Sequence, residues 1–190
     1  MNVANKLTVG RLGLTAAFLA AIFWNFPFSN TCALALFLAA SITDYLDGKI
    51  ARSRQLITDF GILMDPLADK ILTCSAFIAF VGREQVAAWM VVIIVARELA
   101  ITGLRLLAAS KQVVLAAEGY GKHKTLSQII AIISVLVMIS YPEWGKWGPW
   151  LFESWVPTFT ELAKWVAVLL TLSSGALYLT RNRSLFMKDI

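Results

Sequence analysis

A chain of 190 residues that is 58% hydrophobic, with a mean hydropathy of +0.71, is too apolar for an ordinary soluble domain. Its 17 Lys and Arg against 12 Asp and Glu give a net charge of +5, which in such a chain reports anionic lipid and membrane orientation rather than nucleic acid. Cys32 and Cys74 both lie in apolar runs, leaving no disulfide framework and no paired Cys/His zinc motif, and a single histidine, His123, removes most histidine-based chemistry.

The first apolar run, from Leu7 to Phe28, has Lys6 and Arg11 near its start and superficially resembles a secretory signal. Trp24, Phe26 and Phe28 near its end fit a retained anchor better than a small-residue cleavage site, for which Ala33-Leu-Ala35 is the weaker candidate. Further spans are expected from Thr31 to Ile50, Phe60 to Val81, Val86 to Ala109, Leu126 to Tyr141 and Leu162 to Leu179. Each is near the roughly 20 residues that cross a bilayer, the fifth needing its flanks. No alternating strand pattern suggests a barrel, so the spans must be helices. The expected fold is an all-α integral membrane protein, a six-transmembrane-helix bundle forming one domain over residues 1–190.

Six spans put the N-terminus, the second and fourth links and the C-terminus on one side. That side holds Lys6, Arg11, Lys49, Arg52, Arg54, Lys111, Lys122, Lys124, Arg181, Arg183 and Lys188, against Arg83, Lys146 and Lys164 opposite. The asymmetry predicts that both termini are cytoplasmic. Trp144, Trp147, Trp150 and Trp155, with Pro142, Pro149 and Pro157, mark the fifth link as an interfacial aromatic belt on the far side.

Four carboxylates interrupt this membrane-like sequence between Asp44 and Asp69. Asp44 and Asp47 stand three apart and Asp65 and Asp69 four apart, so each pair shares one face of a helix. A central Asp costs roughly 2.5 to 3.5 kcal/mol on insertion scales, so four facing lipid would cost on the order of 10 kcal/mol. They are expected to line a wet, cation-filled cavity at the cytoplasmic ends of the second and third helices. Oxygen donors without sulfur or imidazole favour hard divalent cations, and two of Mg²⁺ or Mn²⁺ would neutralise four carboxylates. Gly48 and Gly61 remove bulk where helix ends and ligand approach closely, and Pro66 suits a helix start or a kink.

A second polar set is basic: Arg97, Arg105, Lys122, His123 and Lys124. Arg97 and Arg105 are eight apart, on roughly one side of a helix, inside a span where cations are expensive. They suit a functional pocket, or a structural ion-pair network in which Glu98 pairs with one of them. Lys122 and Lys124 equally fit positive-inside anchoring, and His123 fits orienting a neighbour as well as proton transfer.

The spacing Asp44-x-x-Asp47-Gly48-x-x-Ala51-Arg52, eight residues, Gly61-x-x-x-Asp65-x-x-x-Asp69 resembles the signature of the CDP-alcohol phosphotransferases, and every motif position matches. Length, six spans and the Asn5-x-x-Thr8-x-x-Arg11 entry are similar to the branch of that family that makes phosphatidylglycerophosphate in bacteria. The resemblance implies attack of the primary hydroxyl of sn-glycerol 3-phosphate on the β-phosphorus of CDP-diacylglycerol, releasing CMP, at the cytoplasmic face of the bacterial inner membrane. It implies Asp44, Asp47 and Asp65 as metal ligands and Asp69 as both ligand and general base. It also implies membrane lipids as surroundings and a homodimer as assembly.

On the same resemblance Asn5, Thr8, Asp44, Gly48, Ala51, Arg52 and Gly61 bind the CDP-lipid, although Asn5 and Thr8 also fit a helix cap and Arg52 a positive-inside charge. Glycerol phosphate is expected nearest Arg105 and Lys124, with Arg97, Lys122 and His123 around it. The same catalytic stretch would serve a relative using phosphatidylglycerol or inositol phosphate as acceptor. A divalent-cation transporter would also want carboxylates inside a bundle, but near mid-membrane with access to both faces.

Overall fold

The computed structural model describes residues 3–24, 26–54, 59–110 and 120–183, with side chains described for 9–24, 26–43, 68, 70–108 and 123–183. Asn5, Thr8, Lys122 and the motif residues Asp44, Asp47, Gly48, Ala51, Arg52, Gly61, Asp65 and Asp69 have side chains outside that set. Six long helices account for nearly all of the described chain: α1 (Val3–Phe23), α2 (Ser29–Arg54), α3 (Asp59–Gly82), α4 (Ala88–Ser110), α5 (Tyr120–Ser140) and α7 (Val156–Arg181). A 3₁₀ turn (Tyr141–Trp144) and the short α6 (Trp147–Phe152) fill the link before α7. There are no strands among the described residues.

Helix ends follow local chemistry. α1 stops at Phe23, short of the expected Phe28, because Pro27 bars Phe26 from helix and Phe28 turns the chain at φ 63°. α5 reaches back to Tyr120 and so gains the flank that its apolar run lacks. α7 begins six residues before the expected Leu162, with Pro157 in its first turn, where a missing N–H leaves no bond unmade.

The helices close into a ring in the order α1, α2, α5, α7, α4, α3, each packed against its two neighbours. Its interior is one continuous apolar core running from Phe18 and Ile22 of α1 through Phe37, Phe77 and Phe80 to Ile132, Leu136 and Val168. The Phe18 and Phe37 rings meet at 5.9 Å. Ala33, Ala40, Ala76, Ala131 and Ala167 are fully buried between helices, the small residues that let backbones approach closely in membrane bundles. One buried polar rung joins α5 to α7, where Gln128 Nε2 donates to Thr171 Oγ1 at 3.0 Å.

The outward faces are apolar as well: Leu99 and Leu106 of α4 and Leu162 and Leu169 of α7 are each more than half exposed. That is the surface of a protein solvated by lipid. Two stretches, His123–Trp144 and Val156–Arg181, are long and apolar enough to cross a membrane, and shorter apolar helical stretches run through Val9–Phe23, Ser29–Thr43 and Lys70–Gly82. The chain is therefore an all-helical protein of membrane character.

The end of the ring where α1, α3 and α5 finish and α2 begins is tied by polar side chains. Glu143 accepts from Asn30 N (3.0 Å) and Nδ2 (2.8 Å) through one oxygen, and from Thr31 N (2.9 Å) and Oγ1 (2.6 Å) through the other. A carboxylate 113 residues away thus caps the first turn of α2, whose N–H groups have no partner inside the helix. Arg83, just past α3, donates to the Ile22 carbonyl at 2.5 Å and to Asn30 Oδ1 at 3.2 Å. Lys164 of α7 donates to the Gln85 carbonyl at 2.9 Å. In the expected aromatic belt, Trp147, Trp150 and Trp155 are exposed, but Trp144 turns inward and donates to Thr31 Oγ1 at 2.9 Å. Gly148 is dictated by close approach, because a Cβ there would collide with the Tyr141 carbonyl.

Candidate active site

Both carboxylate-bearing segments are helical: Asp44 and Asp47 lie in the last part of α2, and Asp65 and Asp69 in the first part of α3. The described side chains begin immediately beside them, with Ala68 fully buried and Lys70 following Asp69. Lys70 points to a buried carboxylate on the neighbouring helix, its Nζ 3.5 Å from Glu98 Oε2.

Glu98 sits mid-way along α4 and is only 6% exposed. Three cations from three helices converge on it. Lys70 comes from α3, Arg97 of α4 places Nη1 3.2 Å from Oε1, and Lys124 of α5, itself 3% exposed, donates from Nζ to the same oxygen. An isolated buried charge is costly, and here, among the described residues, three positive groups share one negative one, leaving an excess of two. Positive charge in excess, partly shielded from water by apolar helices, attracts anions.

Further contacts hold the set. Arg97 Nη2 donates to Ser174 Oγ of α7 at 3.3 Å, while its buried Nε finds no hydrogen-bond acceptor among the described residues. Gly175 makes room for this arginine, since a Cβ there would stand 3.0 Å from Arg97 Cγ. Thr102 Oγ1 donates to the Glu98 carbonyl at 2.7 Å, and Ser127 Oγ to the Lys124 carbonyl at 2.7 Å.

Of the basic residues expected around an acceptor phosphate, Arg97 and Lys124 are brought to one carboxylate. Arg105 stands about two turns further along α4. There its Nε donates to Tyr178 Oη at 3.4 Å, and the guanidinium lies 5.7 Å from the centre of the Tyr178 ring. His123 is exposed at the start of α5. Two residues of this cluster, Lys70 and Glu98, were not among those expected around an acceptor phosphate. Glu98 was expected only as an ion-pair partner of one of the arginines, and it is a hub for three cations. The signal for both was available, because a Lys and a Glu inside apolar helices demand a partner.

Among the described residues, no three His, Cys, Asp or Glu side chains stand together as a metal site. Glu98, the buried acid nearest the motif in sequence, is already engaged by three cations and is not a free metal ligand.

The signature between Asp44 and Asp69, carried on two helices of an apolar bundle and followed directly by Lys70 of the charge cluster at Glu98, is that of a phosphotransferase of membrane character. Residues 1–174 match the model of the CDP-alcohol phosphatidyltransferase family, and the chain belongs to that family. It is 40% identical to the CDP-diacylglycerol--glycerol-3-phosphate 3-phosphatidyltransferase of Bacillus subtilis (strain 168), over 95% of each chain. Identity to the protein of that name from Rickettsia bellii is 32%, over 97% of each chain. A probable phosphatidylglycerophosphate synthase of Mycobacterium tuberculosis is 39% identical over 74% of this chain and 68% of its own.

Proposed function

We propose that this chain is a CDP-diacylglycerol:glycerol-3-phosphate 3-phosphatidyltransferase, producing phosphatidylglycerophosphate and CMP. The observation that carries the reading is the excess of positive charge gathered at Glu98, one of whose cations, Lys70, directly follows the last aspartate of the signature. An acceptor that brings its own phosphate suits that excess, and planar Arg97 with compact Lys70 and Lys124 supplies both kinds of phosphate donor. The names of the Bacillus and Rickettsia relatives agree with this acceptor.

In the reaction the primary hydroxyl of glycerol 3-phosphate forms a new bond to the β-phosphorus of CDP-diacylglycerol. The bond from that phosphorus to the bridging oxygen breaks, and CMP departs with that oxygen. Asp69 accepts the hydroxyl proton. Asp44, Asp47, Asp65 and Asp69 would hold two divalent cations, Mg²⁺ or Mn²⁺, whose contribution is to neutralise the diphosphate and the charge developing on the leaving group. Asn5, Thr8, Asp44, Gly48, Ala51, Arg52 and Gly61 receive the CDP-lipid. Arg97, Lys124 and Lys70 hold the acceptor phosphate, with Arg105, Lys122 and His123 on its approach. The apolar ring excludes water, which would otherwise hydrolyse the activated lipid. Six spans with both termini in the cytoplasm would open this site to the cytoplasmic face of the bacterial inner membrane, where the water-soluble acceptor is found.

The test is CMP release by purified protein with CDP-diacylglycerol, Mg²⁺ or Mn²⁺, and glycerol 3-phosphate, phosphatidylglycerol or inositol phosphate in turn. Saturable release with glycerol 3-phosphate alone is expected. Release only with another acceptor would overturn the substrate assignment, and none with any acceptor would overturn the activity.

A further inference from the structure

Glu98 stands out in the proposed acceptor site, since an anion beside a phosphate pocket repels the ligand it adjoins. Its contacts account for it. Glu98 is the only side-chain partner that the described residues offer Lys70 and Lys124, and it is one of two for Arg97. Both lysines are long, flexible cations packed into an apolar bundle, and Lys124 is 3% exposed. Without a shared anion, three like charges in a medium of low dielectric push one another apart.

We infer that Glu98 is a positioning residue for the acceptor: its buried carboxylate gathers Lys70, Arg97 and Lys124 from α3, α4 and α5 into one cluster with an excess of two positive charges, matched to the dianion of a phosphate monoester. A phosphomonoester carries a charge of about −1.5 to −2 near neutral pH, whereas a phosphodiester carries one negative charge and an unphosphorylated polyol none. Glu98 therefore favours a phosphomonoester acceptor without touching it. Because Lys70 directly follows Asp69 in α3, the same carboxylate ties the acceptor cluster to the segment bearing the proposed base. The inference rests on the acceptor reading above.

Glu98→Gln and Glu98→Asp separate positioning from simple charge. The glutamine keeps size but loses the charge, and the aspartate keeps the charge but withdraws it by one methylene. Steady-state CMP release is measured against glycerol 3-phosphate at saturating CDP-diacylglycerol, and against CDP-diacylglycerol at saturating acceptor. Expected for Glu98→Gln is a KM for glycerol 3-phosphate raised at least tenfold, kcat within about threefold of the parent, and KM for the CDP-lipid unchanged. Glu98→Asp should recover part of the loss, with a KM about threefold above the parent. If the glutamine variant does not fold, the aspartate variant decides by the same KM and kcat split. An unchanged or lowered KM for glycerol 3-phosphate would mean that the cations hold their places without Glu98, and would overturn the inference. Equal losses towards both substrates would also overturn it, as general damage to the bundle. If the parent protein gives no saturable response to glycerol 3-phosphate, the acceptor reading itself has failed, which the parent curve reveals before any variant is made.

Discussion

Glu143 offers the sharpest test of how this bundle is held, because its carboxylate serves four donors at the start of α2. Glu143→Ala removes the acceptor for two backbone N–H groups of the first helical turn, for the Asn30 amide and for the Thr31 hydroxyl. A lost N-terminal cap costs about 1 kcal/mol, and a lost carboxylate at a helix N-terminus about 0.3–1 kcal/mol. Detaching the link from α2 also frees Trp144, whose indole donates to Thr31 Oγ1 at 2.9 Å, a bond worth about 1 kcal/mol. Glu143 is only partly buried, so water can reach the freed donors and the total stays near 2–3 kcal/mol rather than the sum of four buried bonds. At about 2–4 °C per kcal/mol for a chain of this size, the apparent melting temperature should fall by about 4–12 °C. The assay is tryptophan-fluorescence melting in detergent at one fixed scan rate, since such unfolding is commonly irreversible. A shift below about 1 °C would refute the clasp. So would strict additivity with Thr31→Val in a double-mutant cycle, because residues sharing these bonds must couple.

Other outcomes follow from the same structure. Asp69→Asn should lower kcat by about 10²- to 10⁴-fold while CDP-diacylglycerol binding, followed by equilibrium titration, survives; unchanged turnover would remove its role as base. Chelation with EDTA should abolish CMP release, and Mg²⁺ or Mn²⁺ should restore it; activity that persists in thoroughly chelated protein would contradict the four-aspartate cation site. Gly148→Ala should destabilise the protein through its clash with the Tyr141 carbonyl, whereas Gly103→Ala, with open space around it, should be neutral or stabilising by up to about 1 kcal/mol. Melting curves that rank the two the other way would show that the link is free to shift. Reporter fusions at the C-terminus should be active only as a cytoplasmic reporter, and export of that terminus would reverse the proposed orientation.

The aspartate spacing, the apolar runs and the basic asymmetry are local or periodic properties, and for that reason they can be read along the chain. Carboxylates three and four apart need only a helix to act together, and both segments are helical. Span boundaries were less legible, because α5 and α7 extend into polar flanks that a hydropathy reading discards. Trp144 shows the limit of composition: by type it belongs with its neighbours in an aromatic belt, yet a single indole hydrogen bond to α2 turns it inward.

The sequence by itself determined the family, the helical class and the stretch from Asp44 to Asp69, because the chemistry of diphosphate transfer fixes residue types at short spacings. Only the tertiary structure decided which charges meet. Lys70, Arg97 and Lys124 lie on three helices, and nothing in their spacing says that they share Glu98 while Arg105 turns to Tyr178. That outcome depends on the order of helices around the ring, with α3 beside α4 and α4 beside α7. The core sets this order through the fit of buried aromatic and alanine side chains, a long-range property that no local pattern records.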